Sequence, residues 1–323
     1  MKQSPEHRSL YWKIKYLVNF KWRIYQLRRW MGLLNERLFL KNPEQSLRFH
    51  IVSCQRNASE AVIKCLDSVY QQNYPRNLVR HVLIDDESSN DTPQQISEWL
   101  ASHADHSVMY FRTSKRQGGC ANTLRAFRLG RPDEIFIELN GDDWLPDDRV
   151  LDFYNRVYGD PNVWLTYNTT IYADGSPYVL SRPYAKAIIR NNDFRQRVWH
   201  CGHPHTFRGA LFSHLDEWRM IDEEIGDYWE RADDMACYAA LHELAGAHQR
   251  HIYRTSYVQN VRAYSEVNVD PGGQERRWER IKKQKPCVPL PELSQGECQP
   301  LNCSSDAAGM VPDIYQRPSY KQQ

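Results

Sequence analysis

Glu134-Ile135-Phe136-Ile137-Glu138-Leu139-Asn140-Gly141-Asp142-Asp143-Trp144-Leu145 is the stretch whose reading decides the fold. Ile135, Phe136, Ile137 and Leu139 read as a strand packed on both faces, so the residues after it are held at the rim of a sheet, where open α/β sheets bind ligands. Those residues are hard oxygen donors. Asp142 and Asp143, beside the amide of Asn140 and a Gly that lets the backbone turn tightly, suit Mg²⁺ or Mn²⁺ carrying a diphosphate. The competing reading is an acidic β-turn, because Asn, Gly and Asp are all turn formers. Taken alone, the motif leaves the two readings level.

Working outward, strand and helix patterns alternate at short spacing. A strand over 49–53 precedes a helix over 59–71, and a second strand over 79–84 ends in Asp85-Asp86-Glu87-Ser88. Pro93, behind an Asp91 or Thr92 cap, opens a helix to about Ser102. A strand over 108–112 leads through Gln117-Gly118-Gly119 into a helix over 121–129, and the central strand is followed by a helix over 147–158 and a strand over 163–167. Such alternation predicts a mostly parallel, doubly wound α/β sheet flanked by helices. Asp85/Asp86, Gly118/Gly119 and Asp142/Asp143 then converge on one sheet edge. That edge suits a nucleotide: carboxylates accept from a base or ribose, a Gly pair allows close backbone approach, and a metal sits on the diphosphate.

The ordered set Val52-Ser53-Cys54-Gln55-Arg56-Asn57, Lys64-Cys65-Leu66-Asp67-Ser68-Val69, Gln72-Asn73-Tyr74-Pro75, Ile84-Asp85-Asp86-Glu87-Ser88 and Asn140-Gly141-Asp142-Asp143 resembles the family 2 glycosyltransferases of the Rossmann-like GT-A fold, over about residues 48–289. The resemblance implies sugar transfer from a nucleotide sugar to an acceptor hydroxyl, with inversion and with Mn²⁺ or Mg²⁺ on the diphosphate. By carry-over, Asp85 and Asp86 hold the nucleoside and Asp142 is the metal ligand, with Gly118, Gly119, Asn140 and Asp143 lining the donor. Asn140 stands where the family usually has the first acid of this motif. Its amide oxygen still ligates, but more weakly.

From Tyr172 to Glu230 the pattern loosens into aromatic, Pro-containing sequence, read as the acceptor side of the cleft. Trp199-His200-Cys201-Gly202-His203-Pro204-His205-Thr206-Phe207-Arg208 is read as a loop lining the donor diphosphate or acceptor. Three His and a Cys within six positions make a zinc site the competing reading, against which the spacing matches no standard zinc motif and Pro204 restrains the backbone. His203, in a His-x-x-Thr-Phe segment that resembles some family members, is a candidate contact to donor or metal, and Arg208 a candidate phosphate ligand. Inverting transfer needs a base for the acceptor proton. Asp233 and Asp234, ahead of a helix over 235–244, resemble the family's acidic pair whose second member is that base; helix capping is the competing role. Asp234 is therefore the expected base and Asp233 its neighbour. Residues 251–258 form a last strand, 260–268 resemble the family's closing loop, and 275–289 make a basic terminal helix.

The organisation expected is a basic helical extension over 1–46, a GT-A domain over 47–290 with a nucleotide half to 170 and an acceptor half from 171, and a polar, Pro-containing tail over 291–323. The 323 residues carry a net charge of +2, unevenly placed: residues 1–48 hold eleven Lys or Arg against three Glu, about +8, leaving about −6 for the rest. Within 11–40, Ile14, Leu17, Val18, Ile24, Leu27, Met31, Leu34 and Leu38 recur at helical spacing beside Trp12, Trp22 and Trp30. Such a helix rests on an anionic lipid surface, docks on its own domain or a second subunit, or takes nucleic-acid phosphates, the last being least natural for so apolar a segment. Eight Cys without a CxxC pair, and no apolar run of membrane-spanning length, fit a reducing cytoplasmic setting, peripheral at most to the inner membrane face. The expected partners are a nucleotide-sugar donor and a glycan or glycolipid acceptor. A glycosyltransferase acting on modified DNA bases and a nucleotide-binding module without catalysis are the alternatives.

Overall fold

The structure, a computed structural model, describes residues 23, 26–103, 107–178, 181–197, 201–230, 232–260 and 272–293. The expected closing loop, most of the polar tail and the first part of the basic extension lie outside these residues.

Helix α1 (26–39) is followed by β1 (Arg48–Gln55), α2 (Glu60–Tyr70), β2 (Val79–Asp85), α3 (Thr92–Ser102), β3 (Val108–Arg112), α4 (Gly119–Arg128), β4 (Glu134–Glu138), α5 (Val150–Tyr158) and β5 (Leu165–Tyr172). The second half adds α6 (Lys186–Asn191), β6 (Gly202–Arg208), α7 (Gly209–Phe212), a ribbon of β7 (Ile221–Asp222) and β8 (Asp227–Tyr228), α8 (Asp233–Ala245), β9 (Gln249–Gln259) and α9 (Gly273–Ile281). One seven-stranded sheet runs in the order β3-β2-β1-β4-β6-β5-β9. Its strands pair in parallel except at β6, which is antiparallel to both β4 and β5.

The alternation of side chains along β1 and β4 builds two cores. Val52 and Phe136 point to the side covered by α4 and α8, whereas Phe49, Ile51, Ile135, Ile137 and Leu139 face α2 and α5. All of these are essentially buried, as befits central strands. Helix α8 is buried from Met235 to Ala245, which explains why it reads as apolar on every face.

The segment 201–208 corrects the sequence reading. It is a strand, β6, wedged between β4 and β5, with Glu138 opposite His205 and Ile135 opposite Arg208. Because β6 runs antiparallel to β4, its start lies at the rim where β4 ends, and its finish lies at the far edge of the sheet.

Helix α1 docks on β9 through its polar side. The Glu36 carboxylate accepts from the backbone N–H groups of Tyr253 (2.7 Å) and Arg254 (3.0 Å), and Arg29 reaches the Thr255 hydroxyl at 3.4 Å. Burial pushes the Glu36 carboxyl up to about 7, against the two N–H donors and the charges of Arg254 and Arg250. A carboxyl raised on folding contributes stability that is complete below its unfolded value and is lost as pH rises through about 7. Urea unfolding between pH 5 and 8 should therefore show the wild type losing stability relative to Glu36→Gln as pH rises. Parallel pH profiles would remove Glu36 from this role. The opposite side of α1 leaves Leu27, Trp30, Met31, Leu34 and Leu38 exposed.

Candidate active site

Beyond Glu138 the backbone of β4 stays paired with β1: Leu139 N–H donates to Val52 O at 2.9 Å and Gly141 N–H to Cys54 O at 3.0 Å. This carries Asn140, Gly141 and Asp142 along the carboxyl end of β1. A Cβ at position 141 would lie 2.6 Å from Gln55 Cβ, so only Gly allows the approach. The two aspartates after it then part company. Asp142 is half-buried at the rim, while Asp143 is 3% exposed and turned inward. Asp143 accepts from the Asn260 N–H (2.7 Å) and the Tyr257 hydroxyl, and burial next to Asp142 holds its carboxyl well above the usual range. Asp143 thus ties the β4 rim to β9 rather than facing the cleft, which corrects its expected place among the donor contacts. Asn140 Nδ2 leans on Asp143 Oδ2 at 3.4 Å. This turns the Asn140 amide oxygen away from Asp143.

In the acidic pair at the end of β2 both carboxylates are buried, and each holds a different loop. Asp85 is fully buried and takes the Ser88 N–H (3.0 Å), the Ser88 and Tyr110 hydroxyls and the Arg112 guanidinium (3.5 Å). It holds the loop that follows β2 and presents no surface to a nucleoside, another correction. Asp86 accepts from the N–H groups of Gln117 (2.8 Å) and Gly118 (2.9 Å) and from the Thr113 hydroxyl (3.2 Å). That clamp shapes the Gly118-Gly119 loop, whose first glycine has φ of +86°. Gly119 opens α4.

The loop reaches the other carboxylates. A Cβ on Gly119 would stand 3.4 Å from Asp233 Oδ2. The half-buried thiol of Cys54 at the end of β1 is pushed up to about 12, chiefly by burial, with smaller contributions from the charges of Glu138, Asp233 and Asp86. Asp233 and Asp234 open α8, where free N–H groups favour anions. Asp234 accepts from the Met235 N–H at 2.7 Å, and burial raises its carboxyl above the usual range, which moves it toward the pKa a base needs near neutral pH.

His203 stands at the start of β6 on the same rim, stacked on Tyr257 with ring centroids 5.2 Å apart. Arg208 is not there. Its guanidinium donates to the carbonyls of Val163 (2.9 Å), Tyr158 (2.7 Å) and Asp160 (3.0 Å) at the far edge of the sheet, which corrects its assignment as a phosphate ligand. Two further residues belong at the rim, Glu138, to which the sequence assigns no role, and His205, one of the three histidines of the 199–208 segment. Glu138 is buried within an apolar-looking strand and accepts from the Tyr238 hydroxyl at 2.5 Å, and His205 stacks on Tyr238 at 3.6 Å. The signal available was a charge in a strand otherwise buried on both faces, where an ion needs a partner.

A Gly-rich loop, a carboxylate at the rim and an acidic helix start, gathered at the carboxyl edge of a mostly parallel sheet, define a GT-A fold. The model of the family described as glycosyl transferase family 2 matches residues 50–218, and the chain belongs to that family. S. aureus TarS 1-349, solved in complex with UDP-GlcNAc, is similar in structure, with a TM-score of 0.54 and 14% identity over 73% of this chain and 65% of that one. The present chain thus spans just under two thirds of that fragment. The mannosyltransferase PcManGT from Pyrobaculum calidifontis, in complex with GDP-Man and Mn²⁺, gives 0.53 and 17% over 81% of this chain and 73% of that one. No curated protein matches the sequence significantly.

Proposed function

We propose that the chain transfers a sugar from a nucleotide sugar to an acceptor hydroxyl with inversion, Asp234 acting as the base. The observation that carries this reading is the meeting of the Gly118-Gly119 loop with Asp233 at the start of α8. It sets a surface for close donor approach beside Asp233, next to Asp234, whose proton affinity is raised by burial. In the transfer, the acceptor oxygen forms a bond to the anomeric carbon as the bond to the diphosphate oxygen breaks. The acceptor proton passes to Asp234, and the diphosphate leaves with the bonding pair. Asp233 orients the acceptor and its neighbour by hydrogen bonding.

Residues at the rim fit a divalent cation of the Mn²⁺ or Mg²⁺ kind. The donors are oxygens, Asp142 is half-buried at the edge, and the Asn140 amide oxygen is turned away from Asp143. A bound ion would neutralise charge on the departing diphosphate. Asp86 and the loop it clamps would lie against the nucleoside, and His203 against the donor. The nucleotide sugars carried on the same fold by TarS and PcManGT support this reading.

For the acceptor, the exposed Leu27, Trp30, Met31, Leu34 and Leu38 favour a glycolipid over a DNA base. They form an apolar stripe on a helix that also carries Arg28 and Arg37, the pattern of a helix lying in an anionic interface. The contact proposed is peripheral, on the cytoplasmic face; among the described residues no helix is long and apolar enough to cross a membrane. The test supplies labelled nucleotide sugars, Mn²⁺ and anionic vesicles bearing a lipid-linked saccharide. Label should enter the lipid fraction, and deleting residues 1–46 should release the protein from the vesicles. Label entering glucosylatable duplex DNA instead, or no donor being consumed with any acceptor, would overturn the reading.

A further inference from the structure

Glu138, His203 and His205 each bring one ligand atom within 4.8 Å of the other two. The β4–β6 register sets Glu138 directly opposite His205, and the two histidine rings lie 4.7 Å apart, edge to face. Glu138 is 8% exposed and His205 fully buried. Two imidazoles and a carboxylate form a donor set that takes zinc and its divalent neighbours, leaving a position open. We propose that Glu138, His203 and His205 form a second divalent transition-metal site, of the zinc kind, distinct from the diphosphate metal at Asp142.

Geometry supports the assignment. Tetrahedral zinc with bonds of about 2.0–2.1 Å holds its ligand atoms about 3.4 Å apart, so three atoms within 4.8 Å of one another close on an ion by side-chain shifts of under about 1 Å each. The Tyr238 hydroxyl donates to Glu138 and so orients that carboxylate, as an outer-shell partner does. Burial lowers the proton affinity of both His203 and His205, which keeps their nitrogens available as ligands. Spacing within 199–208 shows no zinc motif because the third ligand comes from a different strand, 65 positions before His203.

The experiment uses the full chain, stripped with chelator and then titrated with Co²⁺ in the absence of nucleotide. Expected are visible d–d bands saturating at one equivalent, displaced by Zn²⁺, with affinity falling by about 100-fold or more in Glu138→Gln and in His205→Asn and unchanged in Asp142→Ala. Far-UV circular dichroism in chelator shows whether each variant is folded. For one that is not, X-ray absorption of the zinc-loaded wild type replaces it, with two imidazole scatterers expected. Absence of the bands, their survival in both folded variants, their loss in Asp142→Ala, or zinc without two imidazoles overturns the proposal. Since no nucleotide is present, none of these results bears on donor binding.

Discussion

Asp234→Asn is expected to lower turnover by about 10²–10⁴-fold, the range that a positioned general base contributes, while leaving donor binding close to that of the wild type. Asparagine is nearly isosteric and its side-chain oxygen still accepts from the Met235 N–H, so the start of α8 keeps its shape. What is lost is the group that takes the proton. The contrast with Asp233→Asn is informative, because Asp233 lies beside Gly119 and is assigned an orienting rather than a proton-accepting part. That variant should lose less. Initial rates of nucleoside diphosphate release with saturating donor measure both. If Asp234→Asn kept more than about a tenth of wild-type turnover, the base would have to be sought elsewhere on the rim.

The largest stability loss is expected at Arg195→Met. Arg195 is 1% exposed and grips Glu243 of α8 with two nitrogens, Nε at 2.6 Å and Nη2 at 3.1 Å. Its Nη1 reaches the carbonyl of Ile281 at the end of α9 (3.0 Å) and the Gln284 side chain (3.1 Å), while Glu243 also accepts from the Cys287 N–H at 2.8 Å. One ion pair therefore joins the segment after α6, the buried helix carrying Asp234, and the segment after α9. Removing only the cation leaves Glu243 buried and uncompensated, a loss of about 3–5 kcal/mol. Arg195→Met with Glu243→Leu should recover much of it, because desolvation of the lone carboxylate is then removed. Urea denaturation measures each corner of the cycle. A single-variant loss below about 1 kcal/mol would show the pair to be far less buried in solution.

How much was legible in the sequence depended on whether local pattern or distant register set the outcome. The central strand, Gly141 at the turn, Gly118-Gly119 and the acidic start of α8 are local signals, and the structure gathers them at one edge of the sheet. Strand β6 reads as a loop in sequence because Pro204, flanked by His203, His205 and Thr206, breaks the apolar alternation of a core strand. It is a strand because β4 and β5 leave a place for it, a fact of long-range pairing. Arg208 followed from that error: once β6 is antiparallel, His203 is at the rim and Arg208 at the opposite edge. Asp85 and Asp143 show another limit. Adjacent acids look alike in sequence, but hydrogen bonds from distant segments fix Asp85 and Asp143 as buried acceptors that hold the loops. For α1 the sequence left docking and lipid contact open. The structure shows docking through Glu36, and the apolar stripe it leaves exposed is the basis for proposing lipid contact as well.

Thermal unfolding with UDP, GDP, dTDP and CDP, each with and without Mn²⁺, tests the central claim most directly, since it needs neither sugar nor acceptor. Ligand at about a hundred times its dissociation constant adds about 2.7 kcal/mol to stability. One base should raise the unfolding temperature, only with metal present, and the shift should vanish in Asp142→Ala. No shift with any nucleotide, with or without Mn²⁺, would contradict the donor site and with it the assigned chemistry.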